Sequence, residues 1–410
     1  MTTWSRRAML ALGAGALATV ATPAALGQAV PVPADWPRTL QQARGQTVYF
    51  NAWAGDEKTN AFIAWVGGEM QARFGVRVVH VRLKDTAEAV ARVVSERSAG
   101  RDRDGSVDLL WVNGPNLLAL RQQALLAGPV TTVLPNWPLV DTRRKLSNII
   151  DFTVPVDGFA VPWRLAQLVF IIDTARHRGA PPSSAPQLLD WARRHPGRLT
   201  HPSAQNFIGA SFLKQALLDL TDDASRLQLP VRDDDFERVT RPLWDWYDAL
   251  RPHLWRGGRQ FPENGPAQRQ LLNDGEIDIT LSFTPSEAAV AVRSGLLPAS
   301  VRTFTFAKGT LGNTSFVAIP YNARAREGAL VLANFLIDPM VQARAQDLAH
   351  LGAVNVLNAE RLSPAQRALF EGAAEDPALP SAQQLSRPQL EPHASWMTRI
   401  TSEWQRRVSR

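Results

Sequence analysis

Two periodicities of apolar residues alternate along the first third of the chain. Short apolar runs at Gln46–Ala52, Val76–Val81 and Ser106–Val112 predict strands, and the last of these is apolar enough to be a buried parallel strand. Between them, Thr59–Phe74 and Asp85–Ser98 carry apolar residues every three or four positions, which predicts helices. Strands that alternate with helices predict an α/β fold with a parallel sheet. Ligands of such folds bind outside the carboxyl ends of the strands.

The second half of the chain shows the same alternation after a stretch interrupted by proline and glycine. Leu168–Ile172 predicts a strand that crosses into a second lobe, and Ile277–Ser282 predicts a strand followed by a helix that opens at Ser286. Asn313-Thr314 precedes another buried strand, and an amphipathic helix is expected over Ala329–Gln346. Strand ends and helix N-termini in this order are typical of a lobe that closes on a small ligand.

We expect the following division of the chain. Residues 30–160 form the first part of lobe 1, residues 161–296 form lobe 2, residues 297–362 return to lobe 1, and residues 363–410 add a C-terminal helical extension.

The first 29 residues have the features of an export signal. Arg6 and Arg7 precede an uncharged stretch rich in Ala, Leu and Gly, and Gly27-Gln28-Ala29 supplies a small-x-small cleavage site. Ser5-Arg6-Arg7 with Leu10 leaves both a Sec and a twin-arginine signal open. The chain has no cysteine, so we expect neither disulfides nor a lipid anchor on a cysteine. These features predict a soluble periplasmic protein.

Charge and histidine spacing bear on the class of function. The formal net charge is +7, or 7 − 2 = +5 without Arg6 and Arg7, and the basic residues are scattered with no run longer than three. This distribution argues against nucleic acid as a partner. The seven histidines form no metal-binding motif, and no G-x-S-x-G is present, so we expect no enzyme, no metal and no cofactor. A secreted hydrolase that uses paired carboxylates and a ligand-sensing adaptor remain as alternatives.

Several passages carry a specific likeness. They are FNAWAGDEKTNAFIAW, DLLWVNGPN, VPWRLAQLVFIID, GPAQRQLLNDGEIDITLSFTPSEA and GTLGNTSFVAIPYNA. Together they resemble the YnjB-type extracellular solute-binding proteins, which belong with binders of thiamine, polyamines and ferric ion. The resemblance implies a periplasmic-binding-protein type II fold, in which hinge strands join two α/β lobes around a ligand cleft. It also implies a monomer that delivers a small solute to an inner-membrane ABC permease with a cytoplasmic ATPase.

Candidate ligand-binding residues come from the predicted strand ends and from this resemblance. The strand ends supply Asn51, Trp53, Gly55, Asp56, Trp111, Asn113, Thr284, Ser286 and Glu287, and the resemblance adds Trp163, Asn313 and Thr314. Structural roles compete with binding for several of them, because Asp56 and Ser286 are natural helix caps and Asn113 can satisfy its own turn. Aromatic faces beside carboxylates suit a cationic ligand such as thiamine or a polyamine.

Overall fold

The computed structural model describes residues 35–371, 376–385 and 387–409. The expected export signal, residues 1–29, lies outside this part of the chain. The strands of the described residues form two main sheets and a short hairpin. No helix in the described residues combines the length and the apolar character needed to cross a bilayer.

The strands have the following bounds. They are β1 Thr47–Trp53, β2 Arg77–Leu83, β3 Leu109–Val112, β4 Ile150–Asp151, β5 Val154–Pro155, β6 Ala160–Gln167, β7 Val169–Asp173, β8 Ile279–Ser282, β9 Val301–Phe304, β10 Thr310–Ala318 and β11 Pro388–Leu390.

The α-helices lie between and after these strands. They are α1 Trp36–Ala43, α2 Glu57–Phe74, α3 Ala87–Ser98, α4 Gly114–Gln122, α5 Ala185–Arg194, α6 Phe207–Leu220, α7 Asp233–Leu250, α8 Gly265–Asn273, α9 Glu287–Arg293, α10 Arg326–Leu336, α11 Pro339–Gln346, α12 Pro364–Ala368, α13 Ala382–Leu385 and α14 Ala394–Val408.

The first sheet has the order β11-β10-β3-β1-β2, and β6 pairs with β10 over Gly312–Ala318. The strand β1 is parallel to both β2 and β3, as the alternating pattern predicts. The strand β10 runs antiparallel to β3 and β6. A large apolar core formed by residues of β1, α2, α10 and α11 packs on this sheet. The parallel strands therefore end at one edge, where their following helices begin.

The second sheet is antiparallel, with the order β8-β7-β9. A second apolar core packs on it and contains residues of α5, α6, α7 and α14. The sheets divide the chain differently from the expected boundaries at 161 and 297, because β6 belongs to the first sheet and β9 to the second. The chain thus changes sheets at Leu168 and again over residues 305–309. The strand β6 ends at Gln167 and β7 begins at Val169, so the chain passes from one sheet to the other without a loop. A loop would have marked this passage in the sequence.

The C-terminal segment contains a strand as well as the expected helices. The strand β11 pairs in parallel with β10, with Thr310 opposite Pro388 and Gly312 opposite Leu390. The residues of β11 are mostly exposed, so no apolar pattern in the sequence predicts this strand. The helix α14 buries Trp396, Ile400 and Trp404 in the second core. The C-terminal segment therefore contributes a strand to the first sheet and a helix to the core of the second sheet.

Candidate functional site

A row of three tryptophans lies at the edge of the first sheet. The rings of Trp53 and Trp111 meet edge to face with centroids 6.4 Å apart, and those of Trp111 and Trp163 do so at 5.1 Å. Their strands β1, β3 and β6 all belong to the first sheet, which brings the side chains together. Trp163 is 1% exposed and stacks on Phe62, whereas Trp53 is half-buried. The tryptophan row thus has a core end at Trp163 and an accessible end at Trp53.

Arg164 joins this row, although it is absent from the predicted candidates. Its guanidinium carbon lies 4.4 Å from the ring centroid of Trp111 and 5.1 Å from that of Trp163. Its Nε donates to the Ser315 hydroxyl at 3.4 Å. Burial lowers the pKa of Arg164 to about 10, and the carboxylates of Asp56 and Glu287 oppose this shift. Arg164 follows Trp163 directly in the sequence, and that position was the available signal.

Asp56 has the capping role that its position suggested. Its Oδ2 accepts hydrogen bonds from the backbone N–H of Thr59 at 2.8 Å and from the Thr59 hydroxyl at 2.9 Å. It therefore caps α2, where its negative charge also suits the helix N-terminus. Gly55 leaves room for the row, because a Cβ there would lie 2.3 Å from the Trp53 ring. Both residues hold the end of β1 in the shape that places Trp53.

Glu287 approaches from the side of the second sheet. It begins α9 and forms an ion pair with Arg269 of α8. Burial raises the pKa of Glu287; Arg269 and Arg164 oppose the rise, and the Asp56 carboxylate adds to it. Asp56 and Glu287, predicted from sequence positions far apart, are therefore electrostatic neighbours across the two sheets.

Ser286 makes a direct contact between the two sides. Its hydroxyl donates to the backbone carbonyl of Gly352 at 2.5 Å, and it makes no capping hydrogen bond to α9. Gly352 lies between Leu351 and Ala353, which both belong to the first core. Ser286 therefore does not cap α9 with its side chain. Its hydroxyl instead links the start of α9 to the segment around Gly352, which packs in the first core.

Aromatic rings continue the site away from the tryptophan row. Gly114 at the start of α4 packs against Phe152, since a Cβ at Gly114 would lie 3.1 Å from that ring. The Lys214 ammonium lies 4.4 Å from the Phe152 centroid and 5.3 Å from that of Phe207. Phe207 in turn meets Phe283 at 5.1 Å. The Lys214 ammonium thus contacts two rings, Phe152 between β4 and β5 and Phe207 at the start of α6.

A buried group of charges lies behind these rings. Lys214 Nζ is 2.5 Å from Glu391 Oε2, and their side chains are 0% and 2% exposed. Asn313, a predicted candidate, donates to the other oxygen of Glu391 at 3.0 Å. Asp151 accepts from the Gly114 N–H at 2.5 Å, and burial raises its pKa to about 8. Asn313 therefore belongs to this charge group and has a structural partner.

The remaining candidates are placed less favourably for a ligand. Asn51 is fully buried and bonds to the Tyr49 carbonyl and to Arg92. Thr314 donates to the Ser147 hydroxyl at 2.9 Å. Thr284 is half-buried beside Phe283, and its backbone N–H donates to the Ser282 hydroxyl. The structure does not bring Asn51 into the group around the tryptophan row.

Asn113 differs from these because its side chain makes no capping hydrogen bond, although it precedes α4. Asn113 is half-buried, and Gly114, which follows it, packs against the Phe152 ring. Within the described residues, no group of three or more histidine, aspartate or glutamate side chains is arranged to hold a metal ion. The chemistry that the site offers is therefore aromatic stacking, hydrogen bonding and ion pairing.

Comparison with known proteins shows the family of the chain. Residues 68–356 match the family model of bacterial extracellular solute-binding proteins. The chain is also 42% identical over 372 residues to Protein YnjB of Escherichia coli (strain K12), which covers 90% of this chain and 93% of the relative. The chain belongs to the bacterial extracellular solute-binding proteins. The expected family is thus confirmed.

Solved structures extend the likeness to the fold. The periplasmic binding protein AfuA from Actinobacillus pleuropneumoniae, with fructose-6-phosphate bound, superimposes with a TM-score of 0.62 at 13% identity and covers 89% of this chain and 99% of its own. The spermidine/putrescine ABC transporter substrate-binding protein PotD from Streptococcus pneumoniae gives 0.57 at 12% identity, with 89% and 98% covered. At such identities the likeness shows the fold, and this solute-binding protein has the predicted two-lobe type II fold.

Proposed function

We propose that this protein captures a small solute in the periplasm and delivers it to the inner-membrane permease of an ABC importer, driven by a cytoplasmic ATPase. Its family is one of extracellular solute-binding proteins, and the structurally similar PotD is the substrate-binding protein of an ABC transporter. The observation that carries the proposal is the position of Arg164, which lies on Trp111 beside Trp53 and interacts electrostatically with Asp56 and Glu287. We also propose that the protein acts as a monomer and that it is exported without a lipid anchor.

The proposed mechanism is closure of one lobe on the other. The chain changes sheets at Leu168 and over residues 305–309, and the Leu168 N–H donates to the Leu311 carbonyl at 2.7 Å, so the two passages lie side by side. A rotation about these adjacent segments would move α8 and α9 relative to the tryptophan row. A solute that contacts both sides stabilises the closed form in proportion to those added contacts. The hydrogen bond from Ser286 to Gly352 is a contact that the protein itself makes between the two lobes in the closed form.

Ligand-dependent thermal unfolding tests solute binding. The mature protein is heated with thiamine, putrescine, spermidine, amino acids, sugars, sugar phosphates and ferric citrate. A solute that binds only the folded state raises the unfolding temperature in a saturable manner. We expect one chemical class to do so, and a search for turnover products of that solute to find none. Conversion of the solute would favour the secreted hydrolase instead.

A matched pair of variants tests the location of the site. Trp53→Ala removes the accessible end of the tryptophan row, whereas Trp255→Ala removes a partly buried tryptophan that bonds to Glu276 in the second lobe. We expect Trp53→Ala to weaken binding at least tenfold and Trp255→Ala to leave it unchanged. Equal affinities for the parent and Trp53→Ala would remove the row from the site.

A further inference from the structure

We infer that the captured solute carries an anionic group, a carboxylate or a phosphate ester, which pairs with Arg164. This inference rests on the proposed solute-binding function and specifies the chemistry of its ligand. It departs from the cationic ligand that the sequence favoured, because that expectation counted the aromatic rings and the carboxylates but not the guanidinium between them.

The first observation is that Arg164 has no counter-ion. In the described part of the chain no carboxylate oxygen comes within ion-pair distance of its guanidinium, whose hydrogen-bond partner is the neutral hydroxyl of Ser315. Arg251 and Arg326 also lack a carboxylate partner among the described residues, but they donate to backbone carbonyls, whereas Arg198 binds both oxygens of Asp278 and Arg121 binds Asp157. Leaving a partly buried guanidinium without an anion is unfavourable. A ligand oxygen would supply what the protein does not.

The second observation is that the nearby carboxylates are already engaged. Asp56 accepts two hydrogen bonds from Thr59, and Glu287 is paired with Arg269. Each therefore serves the lobe to which it belongs, and neither reaches Arg164 with a direct contact. Their effect on Arg164 is to keep it protonated, since both raise its pKa against burial. Arg164 thus remains a charged donor with free N–H groups.

The third observation is the use of the Trp111 face. The guanidinium lies over this ring at 4.4 Å and over Trp163 at 5.1 Å, so a second cation on the same faces would meet a like charge. Stacking also fixes the plane of the guanidinium, which suits two parallel hydrogen bonds to a carboxylate or phosphate. The Ser315 hydroxyl accepts from Arg164, which leaves its own hydrogen available to the same anion.

The experiment compares solutes that share one body and differ in one group. Benzoate, phenyl phosphate, benzylamine and benzyl alcohol are titrated into the parent, Arg164→Met, Arg164→Lys and the control Arg103→Gln, with thermal unfolding and calorimetry as readouts. Arg103 is exposed, so its substitution removes the same charge elsewhere. We expect only the anions to bind the parent, with about 10- to 100-fold weaker binding by Arg164→Met. Arg164→Lys should lie between them, and Arg103→Gln should match the parent.

Ligand-free stability provides an independent readout. Because Arg164 lacks a counter-ion, Arg164→Met should be at least as stable as the parent without solute. A clearly lower stability would assign Arg164 a structural role and overturn the inference, as would anion binding by Arg164→Met equal to that of the parent.

Solute released from protein purified from its own periplasm completes the test. Native mass spectrometry of the protein, followed by analysis of the released compound, should identify a solute with a carboxylate or phosphate, and this also separates the two anions. A bound solute without an acidic group would overturn the inference and leave the binding function standing. No released solute together with no stabilisation by any compound in either panel would count against both.

Discussion

The buried pair of Lys214 and Glu391 predicts a large loss of stability on removal of one partner. Lys214→Met removes the ammonium 2.5 Å from the Glu391 carboxylate and leaves the Asn313 amide as its one side-chain hydrogen-bond donor among the described residues. Both side chains are almost fully buried, so water does not replace the lost partner. Breaking such a pair costs about 3–5 kcal/mol. For a urea dependence of about 3 kcal/mol per M, the midpoint of unfolding falls by about 1–1.7 M.

The second half of this test is a double-mutant cycle. Lys214→Met combined with Glu391→Gln removes both charges, keeps a partner for Asn313, and should cost much less than the sum of the single changes. Lys84→Met, at an exposed lysine, should change the free energy of unfolding by less than about 0.5 kcal/mol. Urea unfolding followed by circular dichroism measures all four variants. Additive single changes, or a Lys214→Met variant within about 1 kcal/mol of the parent, would refute the reasoning.

Three further predictions concern single positions. The pKa of Asp151 is raised to about 8 from 3.8, so its contribution to stability is full below pH 4 and lost as the pH rises to about 8; Asp151→Asn should flatten that decline in urea unfolding measured from pH 4 to 8. Gly209→Ala should unfold at lower urea, because its Cβ would lie 2.2 Å from the Pro202 carbonyl oxygen; an unchanged midpoint would contradict the close packing. Ser286→Ala removes the bond to Gly352 and should weaken solute binding about 2- to 13-fold in calorimetry with unchanged stoichiometry, and an unchanged affinity would show that this bond does not favour closure.

The extent to which the sequence predicts the structure follows from the range of each signal. The alternation of strands and helices is local, so the parallel arrangement of β1, β2 and β3 was predictable. Trp53 and Trp111 could be chosen as candidates because both stand at the ends of such strands. Lys214 and Glu391 are 177 residues apart, and nothing in the sequence around either residue reports the other.

Two other differences have physical causes. Arg164 was passed over because charge on a strand normally indicates a solvent-facing position, whereas here the guanidinium lies on two indole rings. The strand β11 was not predicted because it is short and mostly exposed. Its pairing with β10 depends on backbone groups rather than on apolar side chains. Asn51 follows the pattern of a strand end but lies within the sheet, where Arg92 occupies its amide oxygen.

The tryptophan row gives this protein an intrinsic optical signal. Its neighbouring indoles meet at interplanar angles of 85° and 86°, so their electronic transitions are coupled in a fixed, chiral arrangement. Near-ultraviolet circular dichroism should respond when a solute or a lobe movement displaces the half-buried Trp53 ring, while Trp163 stays fixed in the core. Occupancy of the cleft could then be followed in the unlabelled protein.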